Sequence, residues 1–337
     1  MTGLDAVVLA VCVFVFVAVG LVAARGVRTA EDWLVAGRSL GLGTLVGTLV
    51  MTELNTATML AFSSQAYVVG PWALTLPLVF VVGLGLYTVL VARRYRRLGA
   101  TSVSELYGAR YGRGLQALAS GCFLVAMLGF VATYVRSAGI VLAPVVEAFA
   151  GAPISAWATS GALVAVVVAI TLGGGLVAVA VTDTAAFALT LVGLPALAVA
   201  GVMAVGGPDG LSQALSALPP GPSVLPVRFV VSLVVLTSFT YIASPWYGQR
   251  MFAARDERTA FVGVGISAVL VGGLYLAASV VAMAVRAERP DLVDPQTALP
   301  LSLLLWAPAG LRGLGFALLL AVAVTTMSSI YNTWVAM

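Results

Sequence analysis

Three charged side chains stand inside long apolar runs of the 337-residue chain: Glu53, Arg136 and Asp183. A charge at bilayer depth costs ~2.5–3.5 kcal/mol on insertion scales, so each is a functional candidate. Glu53 lies in Met51-Thr52-Glu53-Leu54-Asn55-Thr56-Ala57-Thr58, where five of eight residues are polar. A helix interrupted here would free carbonyls and hydroxyls to line an ion or solute site. An intact helix would instead use its Thr and Asn side chains to bond across a bundle interface. Arg136, in Tyr134-Val135-Arg136-Ser137, either pairs with an acid or meets a solute carboxylate in bidentate geometry, and close to a surface it would snorkel. Asp183 follows Thr182 and a triple glycine. It either caps the next helix or offers a cytoplasmic-side station for a permeating cation.

Two further clusters carry hydroxyls. The last apolar run contains Thr325-Thr326-Met327-Ser328-Ser329 and then Asn332-Thr333. A lone Ser or Thr in a membrane helix usually bonds back to its own backbone, but adjacent pairs are suited to a hard monovalent cation such as Na+, which takes several oxygen ligands. The seventh run carries Thr237, Ser238, Thr240, Tyr241, Ser244 and Pro245. A proline among polar residues in mid-run marks a second break, and two interrupted helices at corresponding points of two halves point to a midplane binding site.

Other chemistries lack their residues. Histidine is absent, all 17 basic residues are Arg, and Cys12 and Cys122 both sit in apolar runs. Zinc sites, His-based triads, Schiff bases, lysine phosphate loops and a disulfide framework are therefore excluded. An intramembrane enzyme would have only Ser or Thr without a base, so no catalytic residues and no enzyme activity are expected. No nucleic-acid partner is expected either.

The elements that position these residues are membrane helices. The chain is 61% hydrophobic and 9% charged with a mean hydropathy of +1.09, far from an ordinary soluble domain. A crossing needs about 20 apolar residues, and nine runs qualify, at 6–24, 39–69, 72–92, 114–142, 154–173, 178–205, 229–249, 259–285 and 311–337. Gly70-Pro71, Pro153, Gly173-Gly174-Gly175 and Pro226 mark turns or ends. The second run is too long for one plain span and must tilt or break. The first has the acid Asp5 and no basic leader, so it reads as a retained span and not a signal peptide. The stretches 206–227 and 286–310 read as loops, with a short surface helix near 297–306.

Arginine sets the orientation. The 93–113 segment carries six Arg against the single acid Glu105, which makes it cytoplasmic by the positive-inside rule. Counting outward, twelve Arg fall on that side and four (Arg228, Arg286, Arg289, Arg312) on the other. The N-terminus is then outside, in a multi-pass protein of the cell membrane.

The chain also carries a family resemblance. Ala30-Glu31-Asp32-Trp33-Leu34-Val35-Ala36-Gly37-Arg38-Ser39-Leu40 is similar to the signature preceding the first core helix of the sodium:solute symporter family. Four more blocks follow in order: Thr101-Ser102-Val103-Ser104-Glu105-Leu106-Tyr107 with Arg110-Tyr111-Gly112; Gly174-Gly175-Leu176-Val177-Ala178-Val179 with Thr182-Asp183; Gln249-Arg250-Met251-Phe252-Ala253-Ala254-Arg255 with Ala260; and Thr325-Thr326-Met327-Ser328-Ser329. Together they span nearly the whole chain.

The resemblance implies an all-α, LeuT-like inverted-repeat fold in one transmembrane domain: an extra N-terminal helix (1–28), a first five-helix repeat (39–205) and an incomplete second repeat (228–337). It implies Na+ held by the main-chain carbonyls of Met51 and Leu54 and the hydroxyls of Thr325 and Thr326. Glu53 falls where the sodium–proline symporters have an Asp and the sugar symporters an Asn, which leans toward an amino-acid or monocarboxylate solute. Asp183 matches an aspartate linked to cation coupling. Tyr134, Tyr241 and Pro245 match substrate-pocket positions, and Asn55, Thr56 and Thr58 lie on the same unwound stretch. Trp246 and Tyr247 fit neither the sugar nor the proline pattern. The expected activity is Na+-coupled uptake of a small organic solute across a lipid bilayer, with proton coupling through Glu53 or a sensory input module as alternatives. The family needs core helices nine and ten, so a chain ending at Met337 is expected to be a fragment or a shortened relative.

Overall fold

In the computed structural model, residues 1–150, 156–217 and 226–337 are described. The turn expected at Pro153 and the latter part of the 206–227 loop lie outside them. Fifteen α-helices occur in the order α1 Gly3–Ala24, α2 Ala30–Val35, α3 Leu42–Glu53, α4 Thr56–Val69, α5 Leu76–Tyr87, α6 Arg93–Leu98, α7 Val103–Tyr111, α8 Arg113–Ala150, α9 Ala156–Ala204, α10 Gly207–Ala217, α11 Val227–Ala243, α12 Pro245–Ala253, α13 Glu257–Glu288, α14 Ala298–Trp306 and α15 Leu311–Val335. No strand forms among the described residues.

Six helical stretches are long and apolar enough to cross a membrane, and α11 with α12, bent by 49°, makes a seventh. Two helical segments double back. The Phe62 and Phe80 rings are 5.5 Å apart, whereas a straight helix would separate them by ~27 Å; the chain reverses at Gly70, whose φ is 65°. Leu163 and Leu189 line one cavity although a straight helix would hold them ~39 Å apart. That reversal occurs at Gly175, with φ 50° and ψ −145°. A Cβ there would collide with the Trp33 carbonyl, so glycine is required on two counts. With α3 and α4 counted together as one broken segment, the nine apolar runs correspond to nine helical segments among the described residues.

Local sequence rules set the ends. Thr2 and Asp5 form a capping box at α1, and Thr29 and Asp32 another at α2. Asp5 does more than start a helix: its buried Oδ1 also accepts from the Gly310 and Gly313 amides at 2.8 and 3.3 Å, capping α15 across the molecule. The Arg38 guanidinium binds Glu31 at 2.7 Å and the Gly99 carbonyl at 2.6 Å, and Leu40 pairs with Ala254 in a short β-bridge. The first resemblance block is thus a clamp joining α2 to the ends of α6 and α12. The helix expected near 297–306 forms as α14 but is not a surface helix. Ala298, Leu299, Pro300, Ser302 and Leu303 are buried, because one face packs on α13. At the centre stand α13 and α15, whose small and aliphatic residues bury against α3, α4, α5 and α9.

Candidate functional site

The second run breaks at Leu54 (φ −71°, ψ 87°), between α3 and α4. Asn55 is the N-cap of α4, with its Oδ1 accepting from the Thr58 amide at 2.7 Å. The Tyr275 hydroxyl of α13 donates to the Glu53 carbonyl at 2.7 Å and accepts from the Asn55 amide at 3.2 Å. In an unbroken helix the Asn55 amide would bond the Met51 carbonyl, and the Thr58 amide the Leu54 carbonyl. Tyr275 and Asn55 take those donors away. Two carbonyls are thereby freed, and they are the two assigned to Na+.

Facing them is α15. The Thr326 Oγ1 lies 3.2 Å from the Met51 carbonyl oxygen and 3.3 Å from that of Leu54, and the Thr325 Oγ1 lies 3.4 Å from Met51. Each hydroxyl has one hydrogen, and its shortest partner is the carbonyl one turn back, Ala321 at 2.9 Å for Thr325 and Val322 at 3.0 Å for Thr326. Oxygen lone pairs therefore confront carbonyl oxygens, all of them buried. An assembly of acceptors short of donors and free of carboxylate suits a hard monovalent cation, so the residues present fit Na+.

Asp183 is not a helix cap. It lies within α9 and fully buried, with Oδ2 accepting from the Thr48 hydroxyl at 2.5 Å and 3.7 Å from the Arg250 guanidinium. The glycine reversal sits eight residues earlier, so the helix is already formed at Asp183 and its amides need no cap. Arg250, also fully buried, donates to Thr48 at 3.0 Å and to Ser329 at 2.6 Å. This pair ties α3, α9, α12 and α15 together beside the Thr325–Thr326 pair.

Glu53 is 7% exposed, and its carboxylate faces the Tyr241 and Tyr247 hydroxyls. Tyr134 and Tyr275 complete its tyrosine surroundings. Beyond lies a cavity of about 1080 Å3 lined by Thr58, Tyr134 and Arg136, together with Gln65, Arg228 and Gln296. Arg136 has neither an acid partner nor a hydrogen bond among the described residues and is exposed to this cavity. The second expected break is present at Ser244 (φ −68°, ψ 121°), and Pro245 opens α12.

The structure thus brings Met51, Leu54, Thr325 and Thr326 to one point, Glu53, Tyr134 and Tyr241 to a second, and Thr58, Tyr134 and Arg136 to one cavity. Asn55 is turned into the break, Thr56 is buried with its hydroxyl unpartnered, and Pro245 is a buried helix start away from the cavity lining. Sequence reasoning gave no role to Tyr275 or to Arg250. Tyr275 is a single phenol in an apolar run, and Arg250 reads as one more orienting charge.

A profile of the sodium:solute symporter family matches residues 33–336. The chain belongs to the sodium:solute symporter family. This symporter is accordingly a multi-pass membrane transporter and not an enzyme, with sodium as the coupling ion. A solved structure of a Na+-coupled sialic acid symporter, substrate-bound and outward-open, superposes with a TM-score of 0.84 at 19% identity. The match covers 99% of this chain and 74% of that one, and it establishes the LeuT-like fold. No curated protein matches this symporter in sequence.

Proposed function

We propose that this symporter carries a small carboxylate-bearing solute, an amino acid or a monocarboxylate, inward with Na+ by alternating access. The observation that carries this reading is the freeing of the Met51 and Leu54 carbonyls opposite Thr325 and Thr326, the ligands assigned to Na+. Inward movement of one charge is driven by ~2.3 kcal/mol per 100 mV of membrane potential. In this reading Arg136 receives the carboxylate, since its guanidinium has no protein partner among the described residues and lines the large cavity. Glu53 and the tyrosines around it receive the opposite end of the solute, along with Thr58 and Tyr134 on the cavity wall. Asp183 acts in coupling through Arg250 and Thr48, which connect it to the helices holding the Na+ ligands. The structural neighbour's solute, a sialic acid, also bears a carboxylate.

The Arg-rich 93–113 segment faces the cytoplasm and the N-terminus faces outward, in a cell membrane. The cavity then opens outward, because it is lined by the starts of α5 and α11, at the ends opposite that segment. One domain comprises the extra helix at 1–28 and repeats at 39–205 and 228–337.

The test is uptake into proteoliposomes of radiolabelled L-proline, pyruvate, sialic acid and glucose under an inward Na+ gradient. A carboxylate should accumulate, and replacing Na+ by choline should abolish it. Uptake indifferent to choline, or confined to glucose, would overturn the proposal.

A further inference from the structure

The cavity beyond Glu53 holds a second guanidinium. Arg228 is the second residue of α11, one position beyond Val227 and the cap Pro226, and lines the same cavity as Arg136. Neither arginine has an ion-pair partner among the described residues, and no acid lines the cavity. Arg228 also breaks a local rule: a cation at a helix N-terminus opposes the macrodipole, and the first turn of α11 contains no acid to offset it. Rules of this kind are broken at functional sites. The α11 amides add positive potential at the same place, so a concave, mostly apolar cavity focuses two full charges and a helix end of one sign.

The backbone of Arg228 stands well apart from a small solute seated at Glu53. Thirteen residues of continuous helix separate it from Tyr241, whose hydroxyl faces Glu53, which is ~20 Å along α11. An amino acid or monocarboxylate is several times shorter. Arg136, by contrast, is two residues from Tyr134, which lies within the influence of Glu53.

We infer that Arg228 is an anion-capture residue at the mouth of the cavity: it concentrates carboxylate solutes electrostatically and hands them to Arg136, without taking part in the seated complex. This rests on the carboxylate reading of the proposed function, and it assigns the two arginines different kinetic roles. Capture acts on encounter, so removing Arg228 raises KM and leaves kcat unchanged, and the effect fades as salt screens it.

Two measurements test it. In a Cys12→Ser, Cys122→Ser background, Ser64→Cys places a reporter thiol on the cavity wall. Its rates of modification by anionic and by cationic methanethiosulfonate reagents, each relative to a free thiol, are compared with and without Arg228→Gln. The anionic preference should fall by about threefold or more on losing Arg228, should survive in Arg228→Lys, and should shrink in high salt. An unchanged preference would overturn the inference whether or not any solute is carried. The second measurement is uptake of the best carboxylate of the panel, where Arg228→Gln should raise KM at low salt with kcat intact. A fall in kcat at constant KM would contradict a capture role. Loss of carboxylate uptake in the unmodified protein would count against the proposed function alone, because the thiol rates do not depend on transport.

Discussion

Tyr275→Phe removes a single oxygen from the apolar run of α13, and its consequence is worked out at the opposite side of the break. The Tyr275 hydroxyl accepts from the Asn55 amide at 3.2 Å and donates to the Glu53 carbonyl at 2.7 Å. Without it, a buried amide is orphaned at a cost of ~1–3 kcal/mol. The nearest remedy is the ordinary helical bond from the Asn55 amide to the Met51 carbonyl. That closure removes Met51 from the proposed cation ligands, so on this account Na+ must reopen it to bind. The half-saturating Na+ concentration should therefore rise roughly 5- to 150-fold. Binding of 22Na+ to purified protein in detergent measures this, alongside Na+-dependence of uptake in proteoliposomes and a melting curve to verify folding. Folded Tyr275→Phe protein with wild-type Na+ half-saturation would refute the claim that Tyr275 holds the Met51 carbonyl free.

Other expectations concern the frame. Asp183→Asn should destabilise the protein by ~3–5 kcal/mol because it leaves Arg250 as a buried uncompensated charge, whereas Asp183→Asn combined with Arg250→Met should recover much of that loss; thermal unfolding in detergent compares them, and equal losses in both would deny the pair. Gly175→Ala puts an L-residue into a positive-φ region essentially reserved for glycine, about 1–3 kcal/mol, and drives its Cβ into the Trp33 carbonyl, so it should lower the melting temperature where Gly43→Ala, which meets nothing within 4 Å, does not. The Thr29 hydroxyl and the Arg28 and Thr29 amides hold the Asp32 carboxyl below its usual range, and the Thr259 amide and hydroxyl do the same for Asp256. Their folded values are depressed, so these caps contribute above the ordinary carboxylate range and are lost as pH falls through the folded values. Amide protection at the starts of α2 and α13, measured relative to the intrinsic exchange rate at each pH, should fall below about pH 4 and should be low at every pH in Asp32→Ala and Asp256→Ala proteins, which lack the capping carboxylate.

Much of the positioning logic was legible in the residues. The polar stretch around Glu53 inside an overlong run can only end in a break or a bundle interface, and the chain breaks. Pro245 among hydroxyls marks the second break in the same way, and the triple glycine marks a reversal that only Gly175 permits. The adjacent hydroxyls Thr325 and Thr326 meet the carbonyls of Met51 and Leu54 as the resemblance implies. What stayed hidden depends on contacts between helices far apart in sequence. Tyr275 acts across more than two hundred residues on Asn55, and nothing in its own run distinguishes a phenol that holds a broken helix from one that fills space. Asp183 looks like a cap because glycines precede it, yet it faces Arg250 and Thr48 on other helices. Asp5, whose only visible meaning was to argue against a leader peptide, caps α15 from the other end of the chain. Periodicity reports which face of a helix is buried, and it says nothing about which polar group on another helix it will meet.

The central claim is that Na+ is held between the freed carbonyls of Met51 and Leu54 and the hydroxyls of Thr325 and Thr326. Binding of 22Na+ to the Thr325→Val, Thr326→Val double variant tests it most directly, since valine keeps the β-branched shape at these buried positions and replaces only the facing hydroxyl with a methyl. The account predicts an affinity at least about tenfold weaker, the equivalent of ~1.4 kcal/mol, with the melting temperature in the absence of Na+ preserved. Undiminished 22Na+ binding by the folded double variant would contradict it.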